Sequence, residues 1–200
     1  VQGTASSGPC RPFAVFSGSM CANVPTGCPA CDHVYEQLYP VDQWGTDFVA
    51  LPLANTTGYT LRIQALQNNT SVILNGGAPI TLNAGDQHEL NGVPTVVCIQ
   101  ASKPVSVAQV MEGYNCAGDG DPSLLILQPV DRTATTAIFH TPSSAQIGQR
   151  HVNVLMATGS TPTLQMDGIG VAQNLFTALP SCPSLSFAQL PLSPGVHSLG

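Results

Sequence analysis

Basic residues are scarce. Five Lys and Arg stand against eleven Asp and Glu, and Lys103 is the only lysine. Arg11, Arg62, Arg132 and Arg150 are scattered along the chain, so no basic face forms to neutralise phosphates and nucleic acid is not an expected partner. Long apolar runs are also missing. No stretch approaches the roughly 18 residues of a helical membrane span, and no membrane insertion is expected. The chain opens Val1-Gln2-Gly3, without an initiator Met or a signal peptide, as a processed product or a piece of something longer would. Catalytic signatures fail one by one: there is no Gly-x-Ser-x-Gly elbow, no His-Glu-x-x-His and no phosphate loop. Gln173 stands where the third glycine of a dinucleotide fingerprint begun at Gly168-Ile169-Gly170 would fall. A single lysine and very few glutamates leave thin material for acid–base chemistry. The chain therefore reads as non-enzymatic; a hydrolase would need His and Ser or carboxylates converging from distant positions. No cofactor is expected.

Glycine and proline, by contrast, are abundant, with 19 and 17 copies. Both are costly inside helices, and proline cannot donate to a central strand. Short strands joined by many turns follow. A hydrophobic content of 43% argues against disorder. Seven cysteines, Cys10, Cys21, Cys28, Cys31, Cys98, Cys116 and Cys182, together with glycosylation sequons at Asn55, Asn68 and Asn69, favour an oxidising, extracellular setting. All seven are disulfide candidates, and the odd one is a free thiol, a metal ligand or an intermolecular bridge.

Alternating segments bounded by turn residues mark the strands. Tyr59 to Ala65 alternates, Ser71 to Leu74 leads into Asn75-Gly76-Gly77, and Pro79 to Leu82 meets Asn83-Ala84-Gly85-Asp86. His88 to Leu90, Thr95 to Ile99 and Val105 to Val110 follow at the short, regular spacing of an antiparallel sandwich. One short helix is expected from Asp32 to Tyr39, with Asp32 as N-cap and Val34 and Leu38 four apart. The fold class is all-β: two tandem antiparallel sandwich-like modules with hairpin or Greek-key connections, stabilised by disulfides.

An internal repeat divides the chain. Ser71 to Gly76 pairs with Thr163 to Gly168, each after an alternating strand (Leu61 to Ala65; Val152 to Met156). Ile80 to Gly85 and His88-Glu89-Leu90 match Leu190 to Gly195 and His197-Ser198-Leu199, with an insertion around Cys182 in the second copy. The expected organisation is an N-terminal strand over residues 1–20, a first module over 21–130 with a Cys-rich loop, and a second module over 131–200. The chain begins with Cys10-Arg11-Pro12-Phe13-Ala14-Val15-Phe16, which resembles Ser102-Lys103-Pro104-Val105-Ser106-Val107-Ala108 inside the first module. The N-terminus thus reads like the last strand of a module, and the second module like one lacking that strand. An unpaired edge over an open core is a docking site for a foreign strand. Head-to-tail donation of Arg11, Pro12, Phe13, Ala14, Val15 and Phe16 to a neighbouring copy would build rings or filaments. Closure within one chain, or continuation of the repeat in a longer protein, would satisfy the same edge.

Other constellations carry weaker chemistry. Cys28-Pro29-Ala30-Cys31-Asp32-His33 has the spacing of half a zinc site, but no second pair follows, and Cys10 and Cys21 lie nearby as disulfide partners. Asp119-Gly120-Asp121 offers oxygens to calcium without the further acidic ligand of an EF-hand. No metal is expected. The five histidines (His33, His88, His140, His151 and His197) sit apart, with His88 and His197 at matching repeat positions, which favours a structural role. Trp44 on the loop Pro40 to Asp47, and Tyr39 just before it, would anchor a glycan or protein if exposed.

Phe13 to Pro25, Ala30 to Pro40 and Trp44 to Phe48, then Ala101 to Val105, Ala108 to Gly113 and Gly120 to Val130, stand in an order and spacing that resembles the IgGFc-binding protein N-terminal domain family. The likeness spans most of residues 11–200. It implies β modules, a secreted or cell-surface setting among mucin-associated and adhesive proteins, and no shared catalytic apparatus. In the family pattern the usual cysteine pair corresponds to Cys21 and Cys31, to which Cys28 is additional. The expected function is an extracellular structural or adhesive protein that forms a homo-oligomer or polymer by strand donation. The alternative is a monomeric binding module for a glycan, mucin-like or other protein ligand.

Overall fold

The computed structural model describes residues 13–145 and 147–200, and strands dominate it. In chain order they are β1 (Val15–Ala22), β2 (Asp32–Leu38), β3 (Gly45–Ala50), β4 (Tyr59–Ala65), β5 (Thr70–Leu74), β6 (Ile80–Leu82), β7 (Gln87–Val93), β8 (Val97–Met111) and β9 (Ser123–Ile126). Then come β10 (Ala137–Thr141), β11 (His151–Ala157), β12 (Gln165–Met166), β13 (Ile169–Gly170), β14 (Thr177–Leu179), β15 (Cys182–Pro191) and β16 (Gly195–Leu199). The all-β, disulfide-tied architecture agrees with the sequence.

The helix expected over Asp32 to Tyr39 is instead strand β2, antiparallel to β1. Val34 and Leu38 are four apart, but that spacing is also even and places both on one strand face. Pairing with β1 selects the extended form.

Strand β8 organises the first group of strands. Its N-terminal half lies between β3 and β5, with Phe48 opposite Ile99 and Ile73 opposite Gln100. Its C-terminal half lies between β4 and β9, with Ile63 opposite Val107 and Ala108 opposite Ile126. The exchange of partners falls at Ser102-Lys103-Pro104, where proline has no N–H to offer a ladder. Strands β6 and β7 add to the outer sides of β5 and β4. A bent strand shared in this way folds one sheet over itself, and Phe48, Leu61, Ile63, Val72, Ile99 and Val107 fill the space within. Tyr59 is buried among them and donates its hydroxyl to Thr95 O at 2.9 Å. Burial pushes its phenol well above the ordinary range.

The second group has two sheets, in the orders β10-β16-β12-β13 and β11-β15-β14. Alternation along β15 separates two apolar faces. Ser186, Ala188 and Leu190 are buried on one side. Leu185 and Phe187 on the other side pack with Leu155 against Val49, Leu51 and Cys98 of the first group. The Cys98–Cys182 disulfide clips this junction, and Asn153 and Gln189 both donate to Pro52 O.

The two groups share their pairing. Leu61 of β4 faces Leu90 of β7, and Val152 of β11 faces Leu190 of β15. Phe48 of β3 faces Ile99 of β8, and Phe139 of β10 faces His197 of β16. Strand β16 thus matches the first half of β8, and β15 matches β7. This corrects the equivalence of His88 with His197: His88 lies on β7 opposite Ile63, whereas His197 takes the place of Ile99. The two short histidine motifs are alike in sequence but lie on different strands of the unit. The turns Asn75-Gly76 and Asp167-Gly168 do correspond, with φ of 51° and 72° in one and 53° and 77° in the other, the left-handed pair that Asn-Gly and Asp-Gly adopt cheaply.

Truncating the fully buried Ile63 to alanine is expected to cost about 2–5 kcal/mol in urea unfolding. The same truncation at Ile138, which is 80% exposed, is expected to stay within about 0.5 kcal/mol. Equal effects at the two positions would misplace the core.

Candidate functional surface

Hairpin β1–β2 carries the largest group of exposed apolar side chains in one element. The register sets Phe16 opposite Gln37, Gly18 opposite Tyr35 and Ser19 opposite Val34. Phe16, Tyr35 and His33 therefore share a face. The Phe16 and Tyr35 rings stack at 6.2 Å and the His33 and Tyr35 rings at 5.9 Å, while Phe16 and Tyr35 remain 53% and 55% exposed. The opposite face is lined by Val15, Ser17, Val34 and Glu36, of which Val34 and Glu36 are half-buried. Beyond β1, Phe13 is 73% exposed. Among the described residues β1 is hydrogen-bonded on one side only, to β2, so its other edge presents unpaired backbone groups.

Two disulfides hold this hairpin. Cys21–Cys31 closes its loop end, and Cys28–Cys116 ties its loop to the loop between β8 and β9. The Cys28-x2-Cys31 pair is thus split between two disulfides rather than facing one ion. Cys10, Arg11 and Pro12 lie outside the described residues.

The remaining sequence candidates are dispersed. Asn55 is exposed in the left-handed region at φ 63° and donates to Gln149 Oε1 at 2.7 Å. Asn68 and Asn69 are exposed on the neighbouring turn, where Asn68 Oδ1 accepts the Ala84 N–H at 3.0 Å. Tyr39 and Trp44 are tied down: Trp44 Nε1 donates to Tyr39 O at 3.3 Å, and Gln128 Nε2 donates to the Tyr39 hydroxyl at 2.9 Å. Trp44 is half-buried, whereas Tyr39 and Val41 are exposed. Asp119 uses its carboxylate on the Gly120 N–H. Among the described residues no three His, Cys, Asp or Glu side chains converge as metal ligands.

Two polar clusters escaped the sequence reading. Glu112 is buried, and its Oε1 accepts the Gly92 N–H at 2.7 Å and lies 2.8 Å from Thr60 Oγ1, joining β4, β7 and the end of β8. His197 is buried with Nδ1 2.8 Å from Asp167 Oδ2 and Nε2 2.9 Å from Ser193 O. Asp167 Oδ1 also accepts the Ser198 N–H. Both ring nitrogens face acceptors, so the imidazolium form satisfies the site and no nitrogen is free to activate a nucleophile. The Asp167 hydrogen bond, then the Ser193 carbonyl, raises the His197 pKa; the His197 hydrogen bond, then the Ser198 N–H, lowers that of Asp167. An open cleft of about 300 Å³ beside the Cys98–Cys182 bridge is lined by Thr46, Asp47, Gln100, Asp131, Ser181 and Ser184. It contains no histidine or lysine to act as a base.

The histidine–aspartate pair sets a pH window. His197, with its pKa raised, contributes stability in full below its ordinary value of 6.5 and loses it as pH rises through the elevated value. Asp167 contributes above its ordinary 3.8 and loses that as pH falls through the depressed value. The urea midpoint is therefore expected to be higher near pH 6 than near pH 9, with the difference reduced in Asp167→Asn. An unchanged difference in that variant would remove the pair as its cause.

Comparison with known proteins adds a lineage. The family described as IgGFc binding protein matches residues 3–200. A human IgGFc-binding protein is 40% identical over 96 residues, a match that covers 46% of this chain but only 2% of the length of that relative. No solved structure matches significantly.

Proposed function

Since this chain belongs to the IgGFc-binding protein family, we propose that it is a non-enzymatic extracellular module with a structural or adhesive role, binding proteins that include further copies of itself. Three disulfides among the described residues suit an oxidising compartment, and the exposed sequon asparagines are compatible with it. Binding of protein ligands accords with the family description. What the human relative's name says of IgG Fc is said of that protein, and this chain matches 2% of it.

The observation that carries the proposal is the exposed edge and aromatic face of hairpin β1–β2. A strand with one free edge adds readily to another sheet, because the backbone hydrogen bonds form without side-chain specificity and alternate side chains then select the partner. The segment Phe13 to Phe16, continuous with Arg11 and Pro12, is the donated strand. The contact is heterologous, so it propagates head to tail and yields a ring or a filament. In this organisation residues 1–20 donate, residues 21–130 form the first module and residues 131–200 the acceptor module.

Light scattering and electron micrographs of the native chain test the assembly. Masses at multiples of 20.7 kDa, with fibres or rings, are expected. Deletion of residues 1–17 is expected to leave a monomer whose first module still unfolds cooperatively. A native monomer with its hairpin free would instead favour the second reading, a lone binding module whose Phe16–Tyr35 face docks a glycan or a mucin-like protein.

A further inference from the structure

We infer that the acceptor of the donated strand is the free edge of β11, and that the β1–β2 hairpin of a second copy enters there as a unit, copying the way the C-terminal half of β8, with β9 on its far side, lies along β4. The inference rests on the assembly proposed above and gives it a site, a partner segment and a register.

Two independent alignments lead to it. Along the first strands, Arg11-Pro12-Phe13-Ala14-Val15-Phe16 matches Lys103-Pro104-Val105-Ser106-Val107-Ala108, which sets Phe16 at the place of Ala108. Along the second strands, Gln37-Leu38-Tyr39-Pro40 matches Ile126-Leu127-Gln128-Pro129, which sets Gln37 at the place of Ile126. The structure pairs Phe16 with Gln37 and Ala108 with Ile126. Hairpin β1–β2 is therefore the counterpart, in register, of the hairpin made by β9 and the C-terminal half of β8.

The counterparts differ in what lies on their far side. In the first group β4 is bonded to both β7 and β8. Its counterpart β11 is bonded to β15, the counterpart of β7, and among the described residues to no other strand. Strand β1 likewise lacks a counterpart of β4. Each unpaired edge is what the other requires. Within one chain, among the described residues, β1 and β11 do not pair with each other; β2 packs on β9, and its hairpin is tied through Cys28–Cys116 to the loop between β8 and β9. The occupant is a second copy.

The register follows from β4 and β8. Ala65 opposite Val105, Ile63 opposite Val107 and Leu61 opposite Gln109 become Met156 opposite Phe13, Val154 opposite Val15 and Val152 opposite Ser17. The side chains suit this exchange. Phe13 and Val15 are 73% and 41% exposed in the isolated chain, and Val152, Val154 and Met156 are half-buried beside Ser186, Ala188 and Leu190. Closing the edge buries both apolar sets.

The test uses the full chain with Cys10→Ser, carrying either Val15→Cys or Val154→Cys. After oxidation the mixture is expected to give an intermolecular dimer absent from either variant alone. A chain carrying both changes is expected to give a ladder of oligomers on non-reducing gels that collapses to monomer on reduction. Replacing Val154→Cys by Val152→Cys moves the thiol two residues out of register and is expected to weaken linkage about tenfold. Should the variants not fold, a peptide of residues 11–20 added to the unmodified chain decides: it is expected to dissociate assemblies and to slow amide exchange in β11. Assemblies by light scattering without Val15–Val154 linkage, or indifferent to the peptide, would overturn the acceptor while leaving assembly standing. A monomer at every concentration would overturn both.

Discussion

Backbone hydrogen bonding at strand edges is the constraint on which the rest of this protein depends. A strand inside a sheet has to satisfy both of its edges, and β8 does so along its 15 residues by changing partners halfway, from β3 and β5 to β4 and β9. The bend at Ser102-Lys103-Pro104 closes the first core, because Ile99 and Val107 then point into the same interior from different parts of the strand. Glu112 and Tyr59, buried and hydrogen-bonded, fasten the end of that strand and the start of β4.

The second group repeats this scheme up to the point where β8 would cross over. Strand β16 sits between β10 and β12 as the first half of β8 sits between β3 and β5. In place of a continuous apolar interior, the second group uses the His197–Asp167 pair at the position of Ile99 and leans its outer face on the first group through Leu155, Leu185 and Phe187. The second unit is held by the His197–Asp167 pair, a shared apolar junction and the Cys98–Cys182 clip, and among the described residues β11 is paired on one side only. The hairpin β1–β2 is fixed by two disulfides rather than by a core of its own.

Much of this was legible in the sequence. Gly and Pro content gave the class, alternation gave β4, and Asn75-Gly76 and Asp167-Gly168 gave turns that exist as expected. The likeness of the segment at Pro12 to that at Pro104 marked an extended segment there, and Val15–Ala22 is strand β1. What failed did so for physical reasons. Val34 and Leu38 fit helix and strand spacing equally, and only pairing with β1 decides between them. The short motifs at His88 and His197 matched by letter, but strand order assigns His197 to another position, which periodicity does not encode. The disulfides Cys28–Cys116 and Cys98–Cys182 span 88 and 84 residues, beyond any local signal. Exposure and hydrogen bonding are likewise not written in the sequence: Trp44 is half-buried and Tyr39 exposed, with the Trp44 indole N–H on Tyr39 O and the Gln128 amide on the Tyr39 hydroxyl.

Amide hydrogen exchange read by mass spectrometry, at low and high protein concentration, tests the central claim that β1 and β11 complete each other between copies. Protection is predicted to rise with concentration in two segments together, residues 13–19 and residues 151–157, while β4 remains protected throughout. Exchange in β11 that is fast and independent of concentration, in a sample that nevertheless assembles, would contradict it.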